Sequence, residues 1–121
     1  MKEKILAIAL LILVIGSVTL NTIFMQKAID ESIKAVREFD VHKDNAKKAA
    51  EEIFDDYKSK RQYISITVNH EDLTSIEDSF VELISYLSIE DTEGAEVAKS
   101  RLIHFLLHLR RLSGVNIDSI I

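Results

Sequence analysis

The chain has 121 residues, a net charge of −5, no Cys, no Pro and three Gly. The absence of Cys excludes disulfides, thiol nucleophiles, thiolate metal sites and a lipoprotein-type lipid anchor. The acidic balance argues against nucleic acid as a partner, because that binding needs clustered cations. The shortage of Pro and Gly favours long helices.

Lys2, Glu3 and Lys4 lead into an apolar run, Ile5 to Met25, that holds no charged residue. Those 21 positions rise about 31 Å as a helix, roughly the hydrocarbon thickness of a bilayer. The run exceeds the ~7–15-residue core of a cleavable signal peptide. No small-residue cleavage pattern breaks it between Val18 and Phe24. The expected topology is therefore a cytoplasmic N-tail at 1–4, a transmembrane anchor at 5–25 and an extracytoplasmic domain at 26–121. Lys2 and Lys4 favour the cytoplasmic N-terminus, although Lys27, Lys34 and Arg37 beyond the run reduce the asymmetry. With the first four residues set aside, 13 Lys and Arg face 19 Asp and Glu, a net charge of −6. That sign also disfavours anionic lipid headgroups as the domain's main partner.

Beyond the run, Ile29, Ile33 and Val36 recur at intervals of four and three, so the same helix is expected to leave the bilayer and end near Phe39. Asp40 and Asp44 offer capping oxygens for a second helix. Its apolar stripe is Ala46, Ala50, Ile53, Phe54, Tyr57, Ile64 and Val68. Ile64 to Val68 also alternate as a strand would, but such a strand finds no partner elsewhere in the sequence, and the helix is preferred. A third helix is expected from Asn69 or His70, with Glu71 and Asp72 favourable to its dipole. Leu73, Ile76, Phe80, Leu83, Ile84 and Leu87 form its face. Asp91 or Thr92 caps a fourth helix bearing Ala95, Ala98, Leu102, Phe105, Leu106, Leu109 and Leu112. Ser113-Gly114 reads as its stop, followed by an apolar tail of Val115, Ile117, Ile120 and Ile121. Short links between amphipathic helices make an antiparallel bundle the simplest way to bury the stripes.

Little in this pattern carries chemistry. His104 and His108 are four residues apart and share a helix face, and His70 could join them if its turn lay nearby. Both lie away from the apolar stripe and beside Arg101 and Arg111, whose charge opposes a dication, so no metal site and no cofactor are expected. His70-Glu71-Asp72 is the one compact acid–base cluster, and its carboxylates are already explained by the helix start. No catalytic triad with an oxyanion loop and no phosphate-binding Gly loop is present, so an enzyme is not expected. Arg61 sits at the edge of the second stripe, placed to pair with a neighbouring acid such as Glu77. Ile103 and Leu107 are apolar but off the main stripe, marking either deeper burial or a partner surface.

Tyr57-Lys58, then Asn69-His70-Glu71-Asp72-Leu73 with Ile76-Glu77, Ser79-Phe80, Leu83 and Tyr86-Leu87, form an ordered pattern. It continues with the acidic turn Glu90-Asp91, a Leu-rich helix carrying His108, and Asn116-Ile117. Together with the N-terminal apolar run, this resembles the bacterial family called domain of unknown function 4363. Two departures stand out: Tyr57 where the family often has Trp, and no Glu before the terminal Asn-Ile. The resemblance implies a single-pass membrane protein of Gram-positive bacteria with no assigned activity, and draws notice to His70 and Asn116. The expected fold is all-α, a transmembrane helix continuing into a small antiparallel bundle. The expected role is protein interaction or structure at the membrane, through Ile103, Leu107, His70 and Asn116, with a membrane or envelope protein or a second copy. The alternative is a ligand- or metal-binding sensor using His104, His108 and His70.

Overall fold

The first helix, α1 (Lys2–Glu38), runs for 37 residues without a break. At ~1.5 Å per residue it is about 55 Å long. Thr19 and Thr22 donate their hydroxyls to the carbonyls of Ile15 and Val18 at 2.8 Å, so neither interrupts the helix nor needs an outside partner. The computed structural model describes residues 1–65 and 70–120, with side chains except those of Gln62, Tyr63, Ser65 and residues 113–120. Three further helices follow: α2 (Ala46–Ser65), α3 (His70–Ser88) and α4 (Thr92–Ile120). No strand occurs among the described residues. The expectation at Val68 lies outside them.

The helices form a closed ring in which α1 packs on α2 and α4, and α3 packs on the same two. Diagonal helices do not approach closely backbone to backbone among the described residues, and meet only through the core between them. Ion pairs set the register: Lys60–Glu31 joins α2 to α1, Arg61–Glu77 joins α2 to α3, Arg101–Glu82 joins α4 to α3, and Arg110–Asp30 joins α4 to α1. Each helix therefore runs antiparallel to its neighbours, as short links require. One apolar cluster fills the centre, with Met25, Ile29 and Val36 of α1 against Tyr57 and Ile64, Ile76 and Phe80, and Leu102, Leu106 and Leu109. Phe80 is its hub: it stacks on Phe54 with centroids 4.8 Å apart and leans on Tyr57 at 5.5 Å.

Two expectations about helix ends need correction. Asp40 does not cap α2. Its Oδ1 accepts the His42 N–H at 2.9 Å, building a turn inside the link, and the Asn45 carbonyl accepts the Ala49 N–H at the helix start. The link also tucks Phe39 and Val41 into the core. Ser113-Gly114 does not stop α4, which continues to Ile120. Glycine costs a helix only about 1 kcal/mol relative to Ala, and it ends one when the backbone turns left-handed there. No glycine among the described residues has positive φ. The left-handed residue is instead Glu90, at φ 58°. With Glu90 N–H bonded to the Leu87 carbonyl and Asp91 N–H to that of Tyr86, α3 ends in a Schellman motif. Asp91 caps α4 as expected, its Oδ1 accepting the Gly94 N–H at 3.0 Å.

Candidate functional site

The three candidate histidines do not converge. His70 is the exposed first residue of α3, and His104 and His108 are exposed on α4. His108 Nε2 lies 3.9 Å from Asp72 Oδ1, too long for a hydrogen bond. The start of α3 does therefore approach His108. No three metal-ligating side chains come together among the described residues. His104 instead lies against Phe105, ring centroids 5.9 Å apart.

The α1–α4 side is more distinctive. Asp30 and Arg110 bridge it at 2.8 Å, and Lys99 Nζ donates to the Phe39 carbonyl at 2.5 Å, capping the C-terminal end of α1. Between these two clasps lies a groove floored by Ile33 and Leu107 and rimmed by Lys34, Arg37, Glu38 and Arg110. Leu107 is 36% exposed there, while Ile103 is half-buried against the core. The two off-stripe residues thus separate: Ile103 widens the core, and Leu107 remains at the surface. Asn116 belongs to α4, and its side chain lies outside the described residues.

A second polar group lies inside the bundle. Tyr57 is 1% exposed, and its hydroxyl has no hydrogen-bond partner. Arg61 Nε lies 2.7 Å from Glu77 Oε1. The contact is ionic and not a directed hydrogen bond, since the Arg61 Nε–H is also without a partner. Burial raises the Tyr57 pKa far above its usual value, the nearby Glu77 carboxylate adds to this, and Arg61 opposes it. The ring therefore stays neutral. Lower on the same helix, Lys60 bonds Glu31 at 2.7 Å and Asp56 at 2.9 Å. Burial pulls this ammonium's pKa down, but the two carboxylates outweigh it and hold it above normal. The hydrogen bond from Lys60 in turn lowers the pKa of Glu31.

At the opposite end, the α1–α2 link and the α3–α4 turn enclose a shallow polar cleft lined by His42, Lys43, Lys47, Glu90 and Asp91. His42 Nε2 stands 3.5 Å from Glu96 Oε1 across this end. Lys99 and the Asp30–Arg110 clasp had no mark in the sequence beyond being charges on polar faces. Only the α1–α4 register brings them together.

No curated protein and no solved structure matches the chain. A family model does, over residues 19–120, so the match takes in the whole bundle and only the last turns of the apolar run. On that match, the chain belongs to the family described as Domain of unknown function (DUF4363).

Proposed function

We propose that this protein is a non-enzymatic, membrane-anchored helical module that holds a protein partner against the extracytoplasmic membrane surface through its α1–α4 groove. The observation that carries this reading is the continuity of α1. One unbroken helix is apolar and, but for half-buried Val18, exposed from Ile5 to Leu20, and is a packed member of the bundle from Thr22 to Val36. A bundle joined this way is held upright by a rigid stem, and the groove beside Leu107 opens at a fixed height above the span. On the rim Lys34, Arg37 and Arg110 outnumber Glu38 and the Asp30 that Arg110 clasps. This local excess of positive charge on an otherwise acidic domain suits an acidic partner segment with an apolar anchor for Leu107. The implied setting is the single-pass envelope context of Gram-positive bacteria that the family resemblance suggests.

A photo-crosslinking side chain in place of Leu107, introduced into the full-length protein in native membranes, tests this. A discrete adduct at that position, absent when the probe replaces exposed Val97 and weakened by Arg37→Glu, supports the reading. Two differently tagged copies show whether the adduct is a second chain. Equal, diffuse labelling from both positions would sink it. A reporter fused after Ile121, active only outside the cytoplasm, tests orientation separately.

The sensor alternative rests on the approach of His108 to Asp72, with His104 one turn away. An unchanged melting temperature in Zn²⁺, Ni²⁺ and Cu²⁺ would remove it.

A further inference from the structure

The apolar run and the bundle overlap, and the overlap has to be reconciled with the thickness of a membrane. Lys4 and Lys27 bracket the uncharged part of α1, and their α-carbons are separated by about 35 Å along the helix axis. A ~30 Å hydrocarbon layer centred between them reaches within about 2 Å of each lysine, placing its outer boundary near Met25 and Gln26. If Lys2 and Lys4 both snorkel and the helix slides outward by two residues, the boundary still falls near Ile23 or Phe24. Tilting shortens the projected span and moves the boundary further into the bundle.

Thr22 and Met25 are nevertheless 4% and 0% exposed. Protein other than α1 must therefore lie at that depth. The register identifies part of it. Arg110 pairs with Asp30 and Lys99 with Phe39, so an antiparallel α4 brings Ile120 level with about Leu20. Asp72 approaches His108, so α3 starts roughly level with Arg110, and α4 continues ten residues past it to Ile120. That extension runs about 15 Å beside the stretch of α1 from Asp30 down to Leu20, and its last half is level with the apolar run. Its backbone is helical, the form hydrocarbon demands, and after Arg111 its only charge is Asp118. A single carboxylate keeps such a segment at the interface and away from the hydrocarbon centre.

We infer that the base of the bundle is itself a lipid-contacting surface. The last turns of α4, beside Thr22 to Met25 of α1, sit in the interfacial layer of the bilayer, and exposed Phe24 lies against acyl chains. The occupant of this surface is neutral phospholipid, since the acidic domain gives no reason to select anionic headgroups. This inference rests on the membrane-anchored reading above.

The chain has no Cys, so single-cysteine variants of the full-length protein carry one nitroxide each. Labels at Leu13→Cys, Phe24→Cys, Ser119→Cys and Val97→Cys are compared in phosphatidylcholine vesicles. Collision with oxygen, which partitions into lipid, is read against collision with a water-soluble nickel complex. Leu13, Phe24 and Val97 are exposed, so these three labels leave the core packing intact. The expected result is a lipid-like ratio at Leu13, a ratio approaching it at Phe24 and Ser119, and a water-like ratio at Val97. Water-like ratios at Phe24 and Ser119 with a lipid-like Leu13 overturn the inference and leave the anchor standing. A lipid-like Phe24 with a water-like Ser119 overturns the placement of α4. A water-like Leu13 overturns the anchor itself, and this inference with it.

Discussion

The two halves of α1 show how similar amino acids serve two different surroundings. From Ile5 to Leu20 the large apolar side chains are 52–69% exposed, with only Val18 half-buried, so the helix is apolar on every side. From Thr22 to Val36 the apolar residues narrow to a stripe, and Met25, Ile29 and Val36 are at most 1% exposed. A helix apolar all round has no preferred neighbour and suits lipid. A helix with a three-four stripe has one preferred face and suits protein. The contrast predicts that matched truncations have unlike effects. Ile29→Ala should destabilise the bundle by about 2–5 kcal/mol, the usual range for emptying a packed site. Leu13→Ala should leave its stability unchanged within ~0.5 kcal/mol. Urea titration of the detergent-solubilised protein, followed by circular dichroism, distinguishes them. Equal losses would mean that the lower half also packs on protein.

Much of this architecture is legible in the sequence, because spacing reports burial directly. Of the six stripe residues read from α3, Leu73, Ile76, Phe80 and Leu83 are buried, and Ile84 and Leu87 pack half-buried against the core. The Arg61–Glu77 pair also follows from position on adjacent stripes. What spacing missed depends on backbone conformation or on inter-helix register. Ser79 is buried within the apolar face, and its hydroxyl bonds back to the Ser75 carbonyl at 2.9 Å, so a polar residue fits where the pattern has no place for one. Gly114 resembles a stop only if its backbone turns left-handed, which residue type alone does not decide. The groove at Leu107 depends on how α1 and α4 align, and no local pattern encodes that.

Gly94 sharpens the comparison at the far end of the bundle, where packing is set by close approach and not by a stripe. A Cβ built there would stand 2.4–2.8 Å from the ring of Tyr86. Gly94→Ala should therefore cost about 1–3 kcal/mol from overpacking, less the ~1 kcal/mol that Ala gains in helix propensity. Combining it with Tyr86→Leu should recover most of the loss. Melting temperatures of the two single variants and the double variant form the necessary cycle. Additive losses would show that the ring is not the obstacle.

Tyr57 offers a pH-dependent break within the core. Its pKa is raised in the fold above the ordinary tyrosine value of 10.0, so the folded state holds this proton more tightly than the unfolded chain does. Stability linked to it is fully present below pH ~10 and declines as pH rises beyond that value. Lys60, also raised, declines over a similar range. Tyr57→Phe removes a buried hydroxyl that has no hydrogen-bond partner. At pH 7 it should be neutral or stabilising by up to ~1 kcal/mol. It should also weaken the fall in melting temperature between pH 9 and 11 without abolishing the Lys60 share. An unchanged alkaline slope would show that the ring hydroxyl reaches solvent in the folded protein.

The smallest expected effect concerns Glu90, the one non-glycine residue with positive φ among those described. It occupies the position after α3 where a Schellman motif most often has Gly, because a Cβ there crowds the following carbonyl. The strain is offset by two backbone hydrogen bonds, Glu90 N–H to Leu87 and Asp91 N–H to Tyr86, that close the helix. They also place Asp91 to cap α4. Glu90→Gly keeps every one of these bonds and removes the Cβ, but gives the unfolded chain more freedom to lose. The relief should prevail by about 0.5–1 kcal/mol, a rise of a few degrees in melting temperature for a domain of this size. Glu90→Ala separates strain from charge, since it retains the Cβ and loses the carboxylate. It should leave the melting temperature where it was. If alanine stabilised as much as glycine, repulsion among Glu90, Asp91 and Glu93 would be the cause, and the backbone at this turn would carry no cost.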